Sequence, residues 1–408
     1  MTLSLPPRAF AATTRDEVPL RGRRTRRLVA ALAATMVSVG VGATMVSVAV
    51  PSAGATTPGA AVGVVGDITW GISRADMNRT VASMAAAGVK WVRANMSWSG
   101  GEPDAKGVLN QGWLPDVDYA VNQARVAGIQ VLMPIADGVP YWASADPAKY
   151  HDSSGNHWNK YWRPTNNADY ASFVGAMVRR YQALGVHAYE VWNEPNTSNF
   201  WPSGPNAADY ATLLAAAYPA IKAADPTATV ILGGLSKNDY DYLAQLYAAG
   251  AGRYFDVVAV HPYTGTADPT WCWNQGTTTK LAKDAFCGIQ EVHNTMVANG
   301  DSAKKIWLTE FGWSTTTGAY GVSEATQAAY LTKALDKIRS SYPYVQAAFW
   351  YSFRNDVSRN EVPGDYEANL GLLRINFNPK PAYAALKAWT GGATILLPNW
   401  FGPTGLIG

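Results

Sequence analysis

Eight short apolar runs recur along the chain, and an amphipathic helical run follows each of them. The apolar runs occupy 64–71, 89–95, 129–136, 187–194, 229–234, 255–261, 305–311 and 345–352. Most are rich in Val, Ile, Trp, Tyr or Phe, too continuously apolar for strands with one wet face. A parallel sheet covered on both sides requires that pattern. The helical runs fall at 76–87, 116–127, 168–184, 207–224, 239–249, 279–298, 323–340 and 381–389. Gly88, Gly128 and Gly185 stand where a helix ends just before a strand, the position at which a left-handed residue stops a helix. Strict β-then-α alternation over about 330 residues predicts one α/β domain, a (β/α)8 TIM barrel. An open doubly wound sheet is the alternative. It would place a Gly-rich phosphate loop after the first strand, and 63–71 contains none.

The segment before the barrel reads differently. Arg21, Arg23, Arg24, Arg26 and Arg27 precede an apolar stretch at 28–50, and Ala53-Gly54-Ala55 fits a small-x-small cleavage site. Residues 1–55 are therefore expected to be an export signal, with an uncleaved membrane anchor as the alternative. The Arg26-Arg27 pair also fits the twin-arginine route. Residues 56–61 form a short linker, 62–390 the barrel and 391–408 a C-terminal tail. The leader carries seven Arg against Asp16 and Glu17, so the net charge of +3 for the whole chain becomes about −2 without it. No basic run remains to bind nucleic acid. A secreted protein without membrane contact after cleavage, and a monomer, is the expectation.

Cys272 and Cys287 are the two cysteines. In an oxidising compartment they are expected to form a disulfide closing one surface loop; two buried free thiols are the alternative. With no His pair nearby they make a poor metal site, and no metal or cofactor is expected.

Active sites of such barrels lie at the C-terminal ends of the strands. The fourth run ends Val191-Trp192-Asn193-Glu194-Pro195-Asn196, and the seventh Leu308-Thr309-Glu310-Phe311-Gly312-Trp313. Strands four and seven lie across the barrel from each other, so two carboxyl groups can face one another over its mouth. Opposed carboxyl groups are the equipment of glycoside cleavage: one donates a proton to the leaving oxygen, and the other attacks the anomeric carbon or activates water. Arg93, near the end of the second run, is placed to supply a positive field. His261 and Tyr263 end the sixth run; Tyr263 can hydrogen-bond Glu310, and His261 can tune the acid or contact a hydroxyl. Asn193 can bind a hydroxyl beside the reacting carbon. It shares the site with Glu194 only if the strand is irregular, because alternation otherwise sends neighbours to opposite faces. Trp350 is expected to floor the sugar pocket. Trp98, Trp142, Trp201 and Trp313 lie in or near the same loops, either stacking on sugar or packing the loop. Glu190 reads as a buried structural charge.

These segments resemble clan A of the glycoside hydrolases, in its family 39 and family 5 cellulase-like branch. Glu190-Val-Trp-Asn-Glu-Pro-Asn196 is similar to that clan's strand-four signature, and Thr309-Glu310-Phe311-Gly312-Trp313 to its strand-seven motif. The stretch from Val92-Arg93 through Trp98 to Glu102-Pro103 resembles the second-strand region of the family 39 branch, and Pro379-Lys380-Pro381-Ala382-Tyr383 the start of the last barrel helix. The resemblance covers about 62–390. It implies that Glu194 is the acid/base, Glu310 the nucleophile, and the mechanism retaining. One departure is that Pro134-Ile-Ala-Asp137-Gly138 lacks the histidine often found there in the cellulase-type branch, which counts against glucose polymers. The expected partner is a β-linked poly- or oligosaccharide. A transglycosylase using the same residues, or a non-catalytic carbohydrate-binding barrel, is the alternative.

Overall fold

The computed structural model describes residues 60–136, 138–146 and 162–392. The expected leader, most of the linker, nearly all of the tail, Asp137, His151, His157 and the centre of the 140–164 loop lie outside them.

Eight parallel strands form the barrel: β1 Ala61–Val65, β2 Trp91–Arg93, β3 Gln130–Ile135, β4 Ala188–Val191, β5 Thr229–Leu232, β6 Val257–His261, β7 Lys305–Phe311 and β8 Val345–Trp350. β1 pairs with both β2 and β8. β5 meets β6 at Ile231 and Val257, and a two-residue extension, Leu235–Ser236, pairs with Val260 and His261. The ring is thereby closed and leaves no sheet edge to cover. Between and after the strands run α1 Arg74–Ala86, α2 Leu114–Val126, α3 Asn167–Tyr181, α4 Ala207–Ala224, α5 Tyr240–Ala248, α6 Ile289–Ala298, α7 Glu324–Ser341 and α8 Pro381–Thr390. Polar side chains start many of them: Ser73, Asn166, Asn206, Asp239 and Ser323 each accept a hydrogen bond from a backbone N–H of the first turn. Gly88, Gly128 and Gly185 end their helices in the left-handed region, at φ 72°, 72° and 84°. Among the described residues, no helix is long and apolar enough to cross a membrane.

The predicted β–α order is observed, with local differences at element ends. β1 begins at Ala61, inside the expected linker, and ends at Val65 rather than Gly71, because the chain turns at Gly66, whose carbonyl accepts from Ile68 N. The sixth helix begins at Ile289 rather than 279. Residues 280–283 instead pair back on the loop, Gln275 N donating to Lys280 O and Ala282 N to Trp273 O. Cys272 and Cys287 form a disulfide at the base of this loop.

Strand alternation separates two cores. Val258, Val260, Ile306, Leu308 and Ala348 face outward into the layer between sheet and helices. Ala188, Ile231, Val257, Ala259, Trp307, Ala347 and Phe349 fill the barrel interior. There Trp91, Trp307 and Phe349 pack against one another with centroids 5.2–6.5 Å apart. This aromatic plug keeps water out below the charged groups one inward position higher, Arg93 and Glu190.

Candidate active site

Two backbone irregularities turn carboxylates into the barrel mouth. At the end of β4, Trp192 and Glu194 both adopt left-handed backbone, at φ 74° and 40°. The first sends the Trp192 indole out beneath the helices, where it packs against Tyr170 and Trp201 and donates to Phe200 O at 2.9 Å. Asn193 and Glu194 consequently both reach the site, as only an irregular strand allows. At the end of β7 the register against β8 slips between Leu308 and Phe311: three residues of β7 are matched by two of β8. The extra residue lets Thr309 and Glu310 both serve the interior, although neighbours on a regular strand point apart.

Arg93 joins these pieces. Its Nε donates to Glu190 Oε2 at 2.7 Å, Nη1 to Glu310 Oε1 at 2.6 Å, and Nη2 to Asn193 Oδ1 at 2.8 Å. Arg93 is 2 % exposed and Glu190 fully buried. Such charges are tolerated out of water only when each is paired and hydrogen-bonded. Glu190 meets that condition with two further donors on Oε1, Gly234 N at 2.8 Å and the Thr309 hydroxyl at 3.1 Å. It is the internal counter-charge that fixes the guanidinium beneath Glu310.

The opposite side is neutral or protonic. Tyr263 donates its hydroxyl proton to Glu310 Oε2 at 2.9 Å. Burial, and then the Glu310 charge, raise the Tyr263 phenol well above its usual value, so it keeps that proton. His261 Nδ1 lies 2.9 Å from Glu194 Oε1 and 3.6 Å from Glu310 Oε2, while Nε2 lies 3.0 Å from the Thr309 hydroxyl. Burial pulls the imidazole down, but Glu310 and a hydrogen bond to Glu194 outweigh it, and the net shift is upward. The side chains of Glu194 and Glu310 remain 15 % and 12 % exposed, open to a ligand from the mouth. Ligating atoms of Glu194, His261 and Glu310 lie within 4.8 Å of one another.

Arg93, Asn193, Glu194, His261, Tyr263 and Glu310 thus converge, but Trp350 does not. Inward parity on β8 belongs to Ala347 and Phe349, so Trp350 points outward, 1 % exposed, packed on Phe311 and Trp313 with its Nε1 donating to Leu370 O. The next residue, Tyr351, is the one that reaches the site. Its ring lies 6.4 Å from that of Tyr263, and its phenol feels the Glu310 charge. Trp98, Trp201 and Trp313 are fully buried and pack loops rather than offering a free face. Trp142 is half-buried and donates to Glu102 O. Among the described residues, the exposed indoles on loops that follow strands are Trp70, after β1 and edge-on to Trp113, and Trp271 and Trp273, after β6. Thr309 and Tyr351 escape a motif reading, though Tyr351 shares the parity of Ala347 and Phe349, a signal present in the sequence.

Comparison with known proteins agrees with this architecture. A β-xylosidase from Geobacillus stearothermophilus is 25 % identical over 222 residues, 52 % of this chain and 43 % of that protein. The chain therefore spans less than half the length of the curated relative it matches. A family 39 glycoside hydrolase from Bacteroides cellulosilyticus superposes with a TM-score of 0.62 at 25 % identity, covering 80 % of this chain and 62 % of the other. A monomeric β-xylosidase from Caulobacter crescentus gives 0.60 at 20 % identity, covering 81 % and 67 %. The model of the cellulase family matches residues 51–352, most of the chain. With this span, the chain belongs to the cellulase family, glycosyl hydrolase family 5.

Proposed function

We propose that the chain is an exported, retaining glycoside hydrolase that cleaves β-linked oligo- or polysaccharides, with Glu194 as acid/base and Glu310 as nucleophile. The observation that carries this reading is the closeness of the two groups: one oxygen of each lies within 4.8 Å. Retaining enzymes hold their carboxyl groups about 5–5.5 Å apart, whereas inverting ones leave about 6.5–9.5 Å for a water. In the first step Glu310 attacks the anomeric carbon as Glu194 protonates the departing oxygen. The sugar is then esterified to Glu310. In the second step Glu194 takes a proton from water, the water oxygen bonds to the anomeric carbon, and Glu310 leaves as a carboxylate. Arg93 and Tyr263 hold Glu310 in line and His261 orients Glu194; Asn193, fixed by Arg93, is placed for a ring hydroxyl. The β-xylosidase relatives make a neutral β-linked sugar the substrate class to try first.

A metal-dependent hydrolase is the competing reading, since Glu194, His261 and Glu310 are ligand types within mutual reach. Against it, the Arg93 guanidinium already sits 2.6 Å from Glu310 and would repel a cation there. The test is an activated 2-deoxy-2-fluoro glycoside with peptide mapping, alongside NMR of the first-formed anomer. Covalent label on Glu310 and a β product are expected, and turnover should survive exhaustive chelation. An α product, or activity abolished by chelator and restored by metal, refutes the reading.

A further inference from the structure

One hydroxyl that neither step of the proposed reaction uses sits between the buried ion pair and the imidazole. Thr309 is fully buried on β7, with the inward parity of Trp307. Its Oγ1 lies 3.1 Å from Glu190 Oε1 and 3.0 Å from His261 Nε2. Gly234, just after β5, closes the place: a Cβ there would collide with both the imidazole and this hydroxyl. Gly234 N instead donates to Glu190 Oε1 at 2.8 Å, and the missing side chain is what lets the three groups meet.

A hydroxyl has one proton to give, and its two neighbours compete for it unequally. Glu190 is the counter-charge of Arg93, and a carboxylate can only accept. The Thr309 proton therefore goes to Glu190. Its oxygen is left to face His261 as an acceptor, so His261 Nε2 must carry a proton. The consequence passes through the ring to Nδ1, which lies 2.9 Å from Glu194 Oε1. A neutral imidazole protonated on Nε2 offers only a lone pair at Nδ1. That lone pair accepts from Glu194 as a carboxylic acid but gives nothing to Glu194 as a carboxylate. Only the imidazolium can donate there. Loss of the acid proton is thereby tied to the charge of His261, and the two groups titrate as a unit. The other groups facing the ring are Glu310, with Oε2 3.6 Å from Nδ1, Arg93, which acts with opposite sign, and the neutral Tyr263, edge-on at 6.5 Å. Lys237 bridges to His261 through the main chain and turns its ammonium to Asp284.

We propose that Thr309 is a positioning residue that fixes the Nε2–H tautomer of His261 and so raises the proton affinity of Glu194. The effect on catalysis rests on the hydrolase reading above; the tautomer does not.

The experiment reads tautomer and rate separately. Two-bond 1H–15N spectra of the chain labelled with 15N-histidine are recorded across pH, with the His261 signals assigned by their loss in His261→Asn. In the unmodified chain and in Thr309→Ser, Nε2 should stay protonated throughout and only Nδ1 should titrate. Thr309→Val keeps the shape and removes the hydroxyl, so neutral His261 should there carry its proton on Nδ1 and donate it to the Glu194 carboxylate. On an aryl β-glycoside with a poor leaving group, the alkaline limb of kcat/KM should then fall by about 0.5–1 pH unit, the worth of one hydrogen bond gained by the charged form. Thr309→Ser should restore the limb, and a leaving group that needs no proton should hide the shift. A proton on Nδ1 of neutral His261 in the unmodified chain overturns the proposal, and that spectrum decides even if Thr309→Val does not fold. An unchanged tautomer or an unchanged alkaline limb in Thr309→Val overturns it too. Labelling of Glu310 by the fluoro-glycoside reads the underlying site on its own. If labelling fails in the unmodified chain, the hydrolase reading falls and the catalytic half of this inference with it; if labelling proceeds, the spectra alone can sink the tautomer.

Discussion

Arg93 places its guanidinium 2.6 Å from Glu310 Oε1 with 2 % of its own side chain exposed. The same group bridges to Glu190, so the field under the nucleophile is fixed before any ligand arrives. Removing it strands two carboxylates. Arg93→Met is expected to lower kcat by at least about 100-fold and to cost roughly 3–5 kcal/mol of stability. Turnover and denaturant unfolding check both. Arg93→Lys should recover little, because one ammonium cannot satisfy three partners in a plane.

Tyr263 gives Glu310 its second hydrogen bond. Tyr263→Phe keeps the ring and removes one charge-assisted bond, and the expected loss in kcat/KM is about 10- to 100-fold. A circular dichroism melt within a few degrees of the unmodified chain separates this from a folding defect.

Glu194 is tested by its second task. In Glu194→Ala, an aryl glycoside with a good leaving group should still esterify Glu310, after which the intermediate accumulates because no base activates water. Added azide needs no base and should restore turnover, giving a glycosyl azide of retained configuration. Turnover unchanged by the substitution would show that Glu194 is not the acid/base.

Lys380 is 1 % exposed, its three hydrogen-bond partners are uncharged, and burial lowers it to about 8. The unfolded chain therefore binds more protons than the folded one between about pH 8 and the usual lysine value near 10.4. Stability lost to charging this group is greatest below pH 8 and is recovered as pH rises across that window. Other groups titrate there too, so the difference between chain and variant is the readout. Relative to Lys380→Met, the unmodified chain should gain up to roughly 3 kcal/mol from pH 8 to 10.5. A pH-independent difference would disprove this assignment.

The disulfide closes a loop with a sequence separation of 15, whose Cys272 Sγ lies 3.6 Å from Lys337 Nζ, on the last turns of α7. That contact is with the outer helix layer rather than with Arg93, Glu194 or Glu310. Replacing both cysteines with serine should cost at most about 3 kcal/mol through loop closure and leave kcat within about twofold. Unfolding under oxidising conditions together with an activity assay tests the separation.

The barrel was legible because its strands read as short, continuously apolar runs between helical stretches of period 3.6, and because Gly88, Gly128 and Gly185 mark the joins. The positions of Glu194 and Glu310 followed from strand ends. Departures from periodicity were not legible. The β7 slip that brings Glu310 in beside Thr309 leaves no local composition signal. Trp350 was expected at the site from its place near the end of the eighth run, against the parity that the packing obeys.

The left-handed residues at 192 and 194 carry a lesson for moving this site elsewhere. Copying the letters Trp-Asn-Glu onto a straight strand of another barrel would present Asn and Glu to opposite sides and swing the indole inward. What must be transplanted is a bent stretch of main chain, along with the aromatic socket of Tyr170 and Trp201 that rewards the bend. A β-branched side chain at either kinked position would resist that shape and tend to straighten the graft.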